Sequence, residues 1–185
     1  MELQAEIYPS KFEENLDKKS FSDPADYCQA TCQGKVDEVI QRLEKEGKKW
    51  DLAIFGDCIC TQNGEIIEKP QDEQDVFKML KRFSGKTHQV ITAVKVVVKT
   101  NEGKIIQDDI LEKTLVEFCD IPDEAIKEYA KTQYPWGKSG GYGYQDVGAM
   151  FVKKIEGDAY NIIGLPIHAV TQSIIKLIKE AKWVQ

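Results

Sequence analysis

Residues 89–99 and 104–118 are two long, strand-like stretches separated by little more than the turn Asn101-Glu102-Gly103. The first contains Val94-Lys95-Val96-Val97-Val98. β-Branched residues lose rotamer freedom in a helix but pack well on a pleated surface. Two such runs across a short turn containing glycine predict a long β-hairpin. A hairpin alone is marginally stable in water, so the rest of the chain must supply further strands and the helices that cover them.

Both are legible. Leu3, Ala5 and Ile7 alternate with polar residues, which predicts a short opening strand that Pro9 ends. Residues 10–21 are charged and irregular. Ser22-Asp23-Pro24 reads as a helix start, with proline near the first helical position. Cys32, Val36, Val39, Ile40 and Leu43 follow as a helical stripe, and Gly47 ends it. Within residues 51–60, the run Leu52-Ala53-Ile54-Phe55 predicts a strand buried on both faces. Asn63-Gly64 marks a hairpin turn into Glu65-Ile66-Ile67. A short helix should then place Val76, Met79, Leu80 and Phe83 on one face. Pro122 opens another, with Ile126 and Tyr129 inward. Residues 134–148 form an irregular stretch rich in glycine and aromatics. Met150, Phe151 and Val152 read as a strand. Pro166 starts a last helix, with Ile167, Val170, Ile174, Leu177 and Ile178 on its buried side. Strands and helices mixed with hairpins predict one α/β domain, residues 1–185, on a mixed sheet.

Composition narrows the function classes. The 185 residues are 42% hydrophobic and 30% charged, as in a soluble globular protein, and the net charge is −6. No basic surface suited to nucleic acid is implied. The two arginines, Arg42 and Arg82, are few for a protein that grips phosphates with planar forks. Five cysteines, spaced as C-x3-C and C-x-C with one left over, match neither a zinc ribbon nor a redox C-x-x-C. They read as reduced thiols. The acidic start has no apolar signal-peptide core, and the apolar runs are too short to span a membrane. A cytoplasmic location is expected.

Several residues could carry chemistry. Asp57 follows Phe55-Gly56 at the end of an apolar strand, where ligands gather in open α/β sheets. It could serve as a general base or simply cap a turn. Lys69, Lys86 and Lys138 lie beside glycine or proline and could meet an anion as point charges, or be solvated loop lysines. In Ser139-Gly140-Gly141-Tyr142-Gly143-Tyr144-Gln145 the glycines would let backbone amides approach a phosphate or base. Tyr142, Tyr144 and Gln145 could stack on and hydrogen-bond a base; a plain surface turn would look the same. The segment is neither a phosphate-binding Walker loop nor a dinucleotide fingerprint. His88 and His168 are far apart with no ligand cluster between them, against a zinc site. Cys58 and Cys60 face one side of their strand, as core residues do.

Five ordered segments carry a resemblance over nearly the whole chain. Phe55-Gly56-Asp57-Cys58-Ile59 is similar to Gly-Ala-Asp-Thr-Val. Glu65-Ile66-Ile67-Glu68-Lys69-Pro70 is similar to Gly-x-Ile-Leu-x-Lys-Pro. Residues 84–92, from Ser84-Gly85-Lys86-Thr87-His88, are similar to Ser-Gly-Arg-x-His-x-Val-x-Thr. Residues 138–145 resemble Lys-Ala-Gly-Gly-Tyr-Gly-Ile-Gln. Residues 156–166 resemble Gly-Asp-x-x-Asn-Val-Val-Gly-Leu-Pro. These are the marks of Maf-type nucleoside triphosphate pyrophosphatases. The opening Tyr8-Pro9-Ser10-Lys11-Phe12 is similar to the Maf domain of acetylserotonin O-methyltransferase-like proteins.

The resemblance implies a mixed, mostly antiparallel central sheet with flanking helices, and hydrolysis of a nucleoside triphosphate to monophosphate and pyrophosphate. It implies that Asp57 activates water, with Mg²⁺ or Mn²⁺ held by Glu14 and Asp57. Lys35 and Lys69 would contact phosphates, and Lys86 and Lys138 lie in matched motifs as further substrate-binding candidates. Gln145 would read the base. Cys58 stands where the subgroup preferring dTTP and UTP has threonine. A homodimer is expected as well. The family's opening strand and its Ser-x-Ser-Pro-Arg-Arg loop have no counterpart in this sequence, so a sheet position and an arginine clamp are expected to be missing. A catalytically impaired Maf-fold module that binds nucleotide or dimerises is the alternative.

Overall fold

The computed structural model describes residues 5–183. Helix α1 (Pro24–Lys45) begins where Asp23 accepts a hydrogen bond from the Ala25 amide. Then come strands β1 (Leu52–Gln62) and β2 (Glu65–Ile67), helix α2 (Glu73–Phe83), strands β3 (Thr87–Lys99) and β4 (Ile105–Phe118), and helix α3 (Asp123–Ala130). Strand β5 (Val152–Glu156), a single turn α4 (Ala159–Ile162) and α5 (Ile167–Glu180) complete the chain. No helix among the described residues is long and apolar enough to cross a membrane.

The sheet has the order β2-β1-β3-β4-β5, and every pairing is antiparallel. The mixed sheet read from the residues is therefore corrected among the described strands. Tight turns join β1 to β2 and β3 to β4, and such turns allow only antiparallel neighbours. At the first turn Asn63 and Gly64 both have positive φ, 56° and 79°, which the right-handed twist of a two-residue hairpin requires.

Alternation along β3 sorts the core. Ile91, Ala93 and Val97 face α1 and pack with Cys28, Cys32, Val36 and Leu43. Val94, Val96 and Val98 face α5, through Val170 and Leu177. Farther along that second face, Val90 joins Leu80 and Phe83 of α2, Ile126 of α3, and Tyr142. One side of the sheet thus carries a single long helix, and the other is divided between two helical groups.

Four local expectations fail. Ala5 and Ile7 lie in an extended segment without strand pairing; Leu3 lies outside the described residues. Ile54 is 43% exposed, so β1 is not buried on both faces: its side chain lies on the face away from α1, which α5 covers mainly over β3 and β4. Met150 and Phe151 belong to a 3-10 turn, Val147–Phe151, capped by Asp146, and β5 starts only at Val152. On α5, Ile167 is exposed at the first turn while Ser173 takes a buried place.

Candidate active site

Within β1, residues 55, 57 and 59 point toward α1, and this puts the carboxyl group of Asp57 among the apolar contacts of Phe55 and Ile59. Asp57 is not at the end of its strand, as the sequence suggested. The strand runs on to Gln62, because Cys60 and Thr61 pair with both β3 and β2, and Gln62 pairs with β2. Asp57 is 8% exposed. Its Oδ1 accepts from Lys35 Nζ at 2.8 Å. Its Oδ2 is buried without a partner.

Lys35, on α1, is the hub. Its ammonium also lies 2.8 Å from Glu14 Oε1 and 3.3 Å from the Gly56 carbonyl oxygen. Lys69, just after β2, reaches the other oxygen of Glu14 at 3.1 Å. Lys18 pairs with Glu68 beside them. Burial alone would lower the Lys35 pKa, but the Asp57 and Glu14 carboxylates together outweigh it, and the net shift is upward. Burial likewise pushes Glu14 up, yet hydrogen bonds from Lys35 and Lys69 bring it below its ordinary value. Both groups are therefore charged at neutral pH.

Glu14 arrives on a strap that has no regular structure. Residues 5–17 lie along α1 and are pinned to it by side chains. Arg42 Nη2 donates to the Pro9 carbonyl at 2.7 Å. Ser10 Oγ and the Lys11 amide donate to Glu38. The ring of Phe12 fills the space where a Cβ on Gly34 would stand. Here glycine is needed for close approach rather than for backbone freedom.

The cleft beside Asp57 is lined by Glu14, Lys18, Tyr27, Thr31, Cys58, Lys69 and Ser139, among others, and holds about 350 Å³ including its open mouth. Ser139 belongs to the glycine segment, which is stitched to the sheet. Its Oγ accepts from the Cys60 amide at 2.8 Å and donates to the Ile67 carbonyl. Gly140 has φ 78°, and a Cβ there would meet Phe83 at 2.9 Å and Cys60 Sγ at 3.1 Å. Tyr142 is buried rather than available for stacking: its hydroxyl meets His88 Nε2 at 2.7 Å in a box with Phe83 and Phe118.

The structure thus brings Glu14, Lys35, Asp57, Cys58 and Lys69 together. It does not bring Lys86, Lys138 or Gln145 into this cleft. Lys86 and Gln145 are exposed. The Lys138 ammonium is taken by the Tyr134 carbonyl and Asp146. Thr31 and Lys18 escaped the sequence reading. Thr31 stands one turn before Lys35 on the same face of α1, and that spacing was its only signal. The five cysteines are free thiols; burial pushes Cys32 up to about 11 and Cys28 and Cys60 higher, so these three stay protonated.

No cluster of three or more His, Cys, Asp or Glu side chains able to hold a metal occurs among the described residues. A hard cation that takes one or two carboxylates and completes its shell with phosphate oxygens and water still fits. Glu14 offers it an exposed carboxylate, and the Asp57 carboxylate is joined to Glu14 through Lys35.

The profile of the family described as Maf-like protein matches residues 1–177. The chain belongs to the Maf-like family. Among curated Maf-like relatives, the human "Probable bifunctional dTTP/UTP pyrophosphatase/methyltransferase protein" is 38% identical over 179 residues, 95% of this chain. The chain spans 29% of that relative's length. The "dTTP/UTP pyrophosphatase" of Ruminiclostridium cellulolyticum is 37% identical over 177 residues, 96% of this chain and 87% of the relative. That of Pyrococcus furiosus is 38% identical over 173 residues, 94% and 83% respectively. The antiparallel sheet with flanking helices is the Maf-type architecture expected from the motifs.

Proposed function

We propose that this chain hydrolyses nucleoside triphosphates of the dTTP and UTP kind, or their modified forms, to the monophosphate and pyrophosphate. One observation carries the reading: Asp57 is a buried carboxylate with one oxygen held by Lys35 and the other free to take a proton in the cleft. Water hydrogen-bonded to Oδ2 gives its proton to that oxygen as its own oxygen attacks the α-phosphorus. The bond from the α-phosphorus to the bridging oxygen breaks, and the electron pair leaves with pyrophosphate. Lys35 and Lys69 meet the phosphate charge. Asp57 and Glu14 would hold Mg²⁺ or Mn²⁺, which supplies charge neutralisation of the phosphates when bound.

Cys58 lines the cleft directly after Asp57 and is the proposed contact for the base. Gln145, in the same loop as Ser139, is its proposed reader once nucleotide is bound. The reading needs no phosphate contact from Lys86 or Lys138. Names carried by relatives at 35–38% identity support the substrate class. A cytoplasmic homodimer belongs to the same proposal.

The test is pyrophosphate release from dTTP, UTP, CTP and a methylated nucleotide with Mg²⁺ or Mn²⁺. Release is expected from at least one, and Asp57→Asn should lower it by about a thousandfold or more. Equal release by the variant, or none from the wild type, would sink the reading.

A further inference from the structure

Helix α1 turns Tyr27, Thr31 and Lys35 toward β1 at intervals of four residues, one above the other on a single stripe. Tyr27 and Thr31 line the cleft, and Lys35 binds Asp57. Thr31 is 1% exposed. Helical threonines often return their hydroxyl to the carbonyl four residues back. Here Thr31 Oγ1 has no hydrogen-bond partner. Among the residues that line this cleft, Thr31 and Asp57 each carry a buried side-chain atom without a partner, Oγ1 and Oδ2.

Buried polar atoms are nearly always paired, and an exception in a cleft points to a missing ligand. The two orphans differ in kind. An ionised carboxylate only accepts, whereas a hydroxyl can donate or accept. A small molecule with two hydrogens and free lone pairs satisfies both.

We propose that Thr31 and Asp57 together hold the attacking water; the inference rests on the pyrophosphatase reading of the site. One water hydrogen goes to Asp57 Oδ2 and the other to Thr31 Oγ1, and a lone pair is left facing the α-phosphorus. In the step itself the proton on the Asp57 side transfers to Oδ2. The new P–O bond forms, and the bond to pyrophosphate breaks with its electron pair. The hydrogen held by Thr31 stays on the new phosphate oxygen. Thr31 neither gains nor loses a proton; it orients.

Thr31→Val removes the hydroxyl at nearly constant volume, and Thr31→Ser keeps it. With Mg²⁺ and dTTP, Thr31→Val should lower kcat about 10–100-fold and leave KM within roughly twofold. Thr31→Ser should stay within about threefold of wild type. Affinity for a non-hydrolysable α,β-imido analogue, measured by calorimetry, should be unchanged in Thr31→Val. The thermal midpoint of the free Thr31→Val protein should stay within a few degrees of wild type, because the side-chain volume at this position is kept. Wild-type kcat in Thr31→Val would overturn the proposal, as would a loss of analogue affinity as large as the loss of turnover. If wild type turns over but Asp57→Asn does so equally well, the site reading fails first and this inference with it. Failure of the Thr31 variants alone leaves that reading standing.

Discussion

His88 shows how much one buried side chain can write into the behaviour of the molecule. It is 2% exposed, stacked on Phe83 with ring centroids 4.0 Å apart, and bonded through Nε2 to Tyr142. Its Nδ1 has no partner. Burial lowers its pKa from 6.5 to about 3. The folded protein therefore holds His88 neutral while the unfolded chain takes up a proton. Stability from this group is fully present above pH 6.5 and is lost as pH falls toward 3. Between pH 6.5 and 5 the expected loss is about 1.5 kcal/mol. Carboxylates with lowered values, such as Glu14 and Asp108, add their own loss only at lower pH. Urea denaturation at stepped pH should show this slope in wild type and a flatter one in His88→Gln, which keeps a polar partner for Tyr142. The sequence showed only that His88 and His168 lie far apart. The burial of His88 under Phe83 and Tyr142 joins residues 59 positions apart (142 − 83), a contact no local pattern carries.

At the scale of elements, the strap of residues 5–17 was the hardest part to read. Alternation at Leu3, Ala5 and Ile7 looks like a strand, but side-chain contacts to α1 hold the segment instead. The strap matters because it delivers Glu14 to Lys35 and Lys69. Gly34 sets its height above α1, since the Phe12 ring lies where a Cβ would be. Gly34→Leu should lift the strap and leave α1, whose helix propensity rises, intact. The expected result is a several-fold higher Mg²⁺ concentration for half-maximal turnover, with the thermal midpoint changed by only a few degrees. Magnesium titrations of initial rate, read beside a melting curve, decide the matter. By contrast, α1, α2, the Asn63-Gly64 turn and the β3–β4 hairpin were legible, because their periodicity, caps and glycines act within a few residues of chain.

For the whole molecule, the cleft is an unfinished electrostatic arrangement. Two carboxylates and two lysines neutralise one another around a carboxylate oxygen that has no partner. Binding that completes it should stabilise the entire fold, because a ligand bound only to the folded state shifts the unfolding equilibrium. With Mg²⁺ and the imido analogue at about 100 times Kd, the gain should be about 2.7 kcal/mol. In a domain of this size that corresponds to roughly 5–10 °C in Tm. A chelator should remove it, and Glu14→Gln and Asp57→Asn should each abolish most of it. A wild-type melting curve that ignores metal and analogue would count against the arrangement.

Local order is what the sequence determined by itself. Period-two and period-3.6 patterns, capping residues and positive-φ glycines produce strands and helices through neighbours close in chain, and the motif around Asp57 marked the acid at the centre of the site. Tertiary structure alone decided which distant groups meet that acid. Glu14 stands 43 residues before it (57 − 14) and Lys69 12 after it (69 − 57), and both reach it through Lys35 on a third element. Thr31 reads in the sequence as one more position on a helix face. Only the fold leaves its hydroxyl buried and unpaired in a residue that shares the cleft with Asp57, because hydrogen-bond satisfaction depends on every atom that surrounds a group rather than on the residues next to it in the chain.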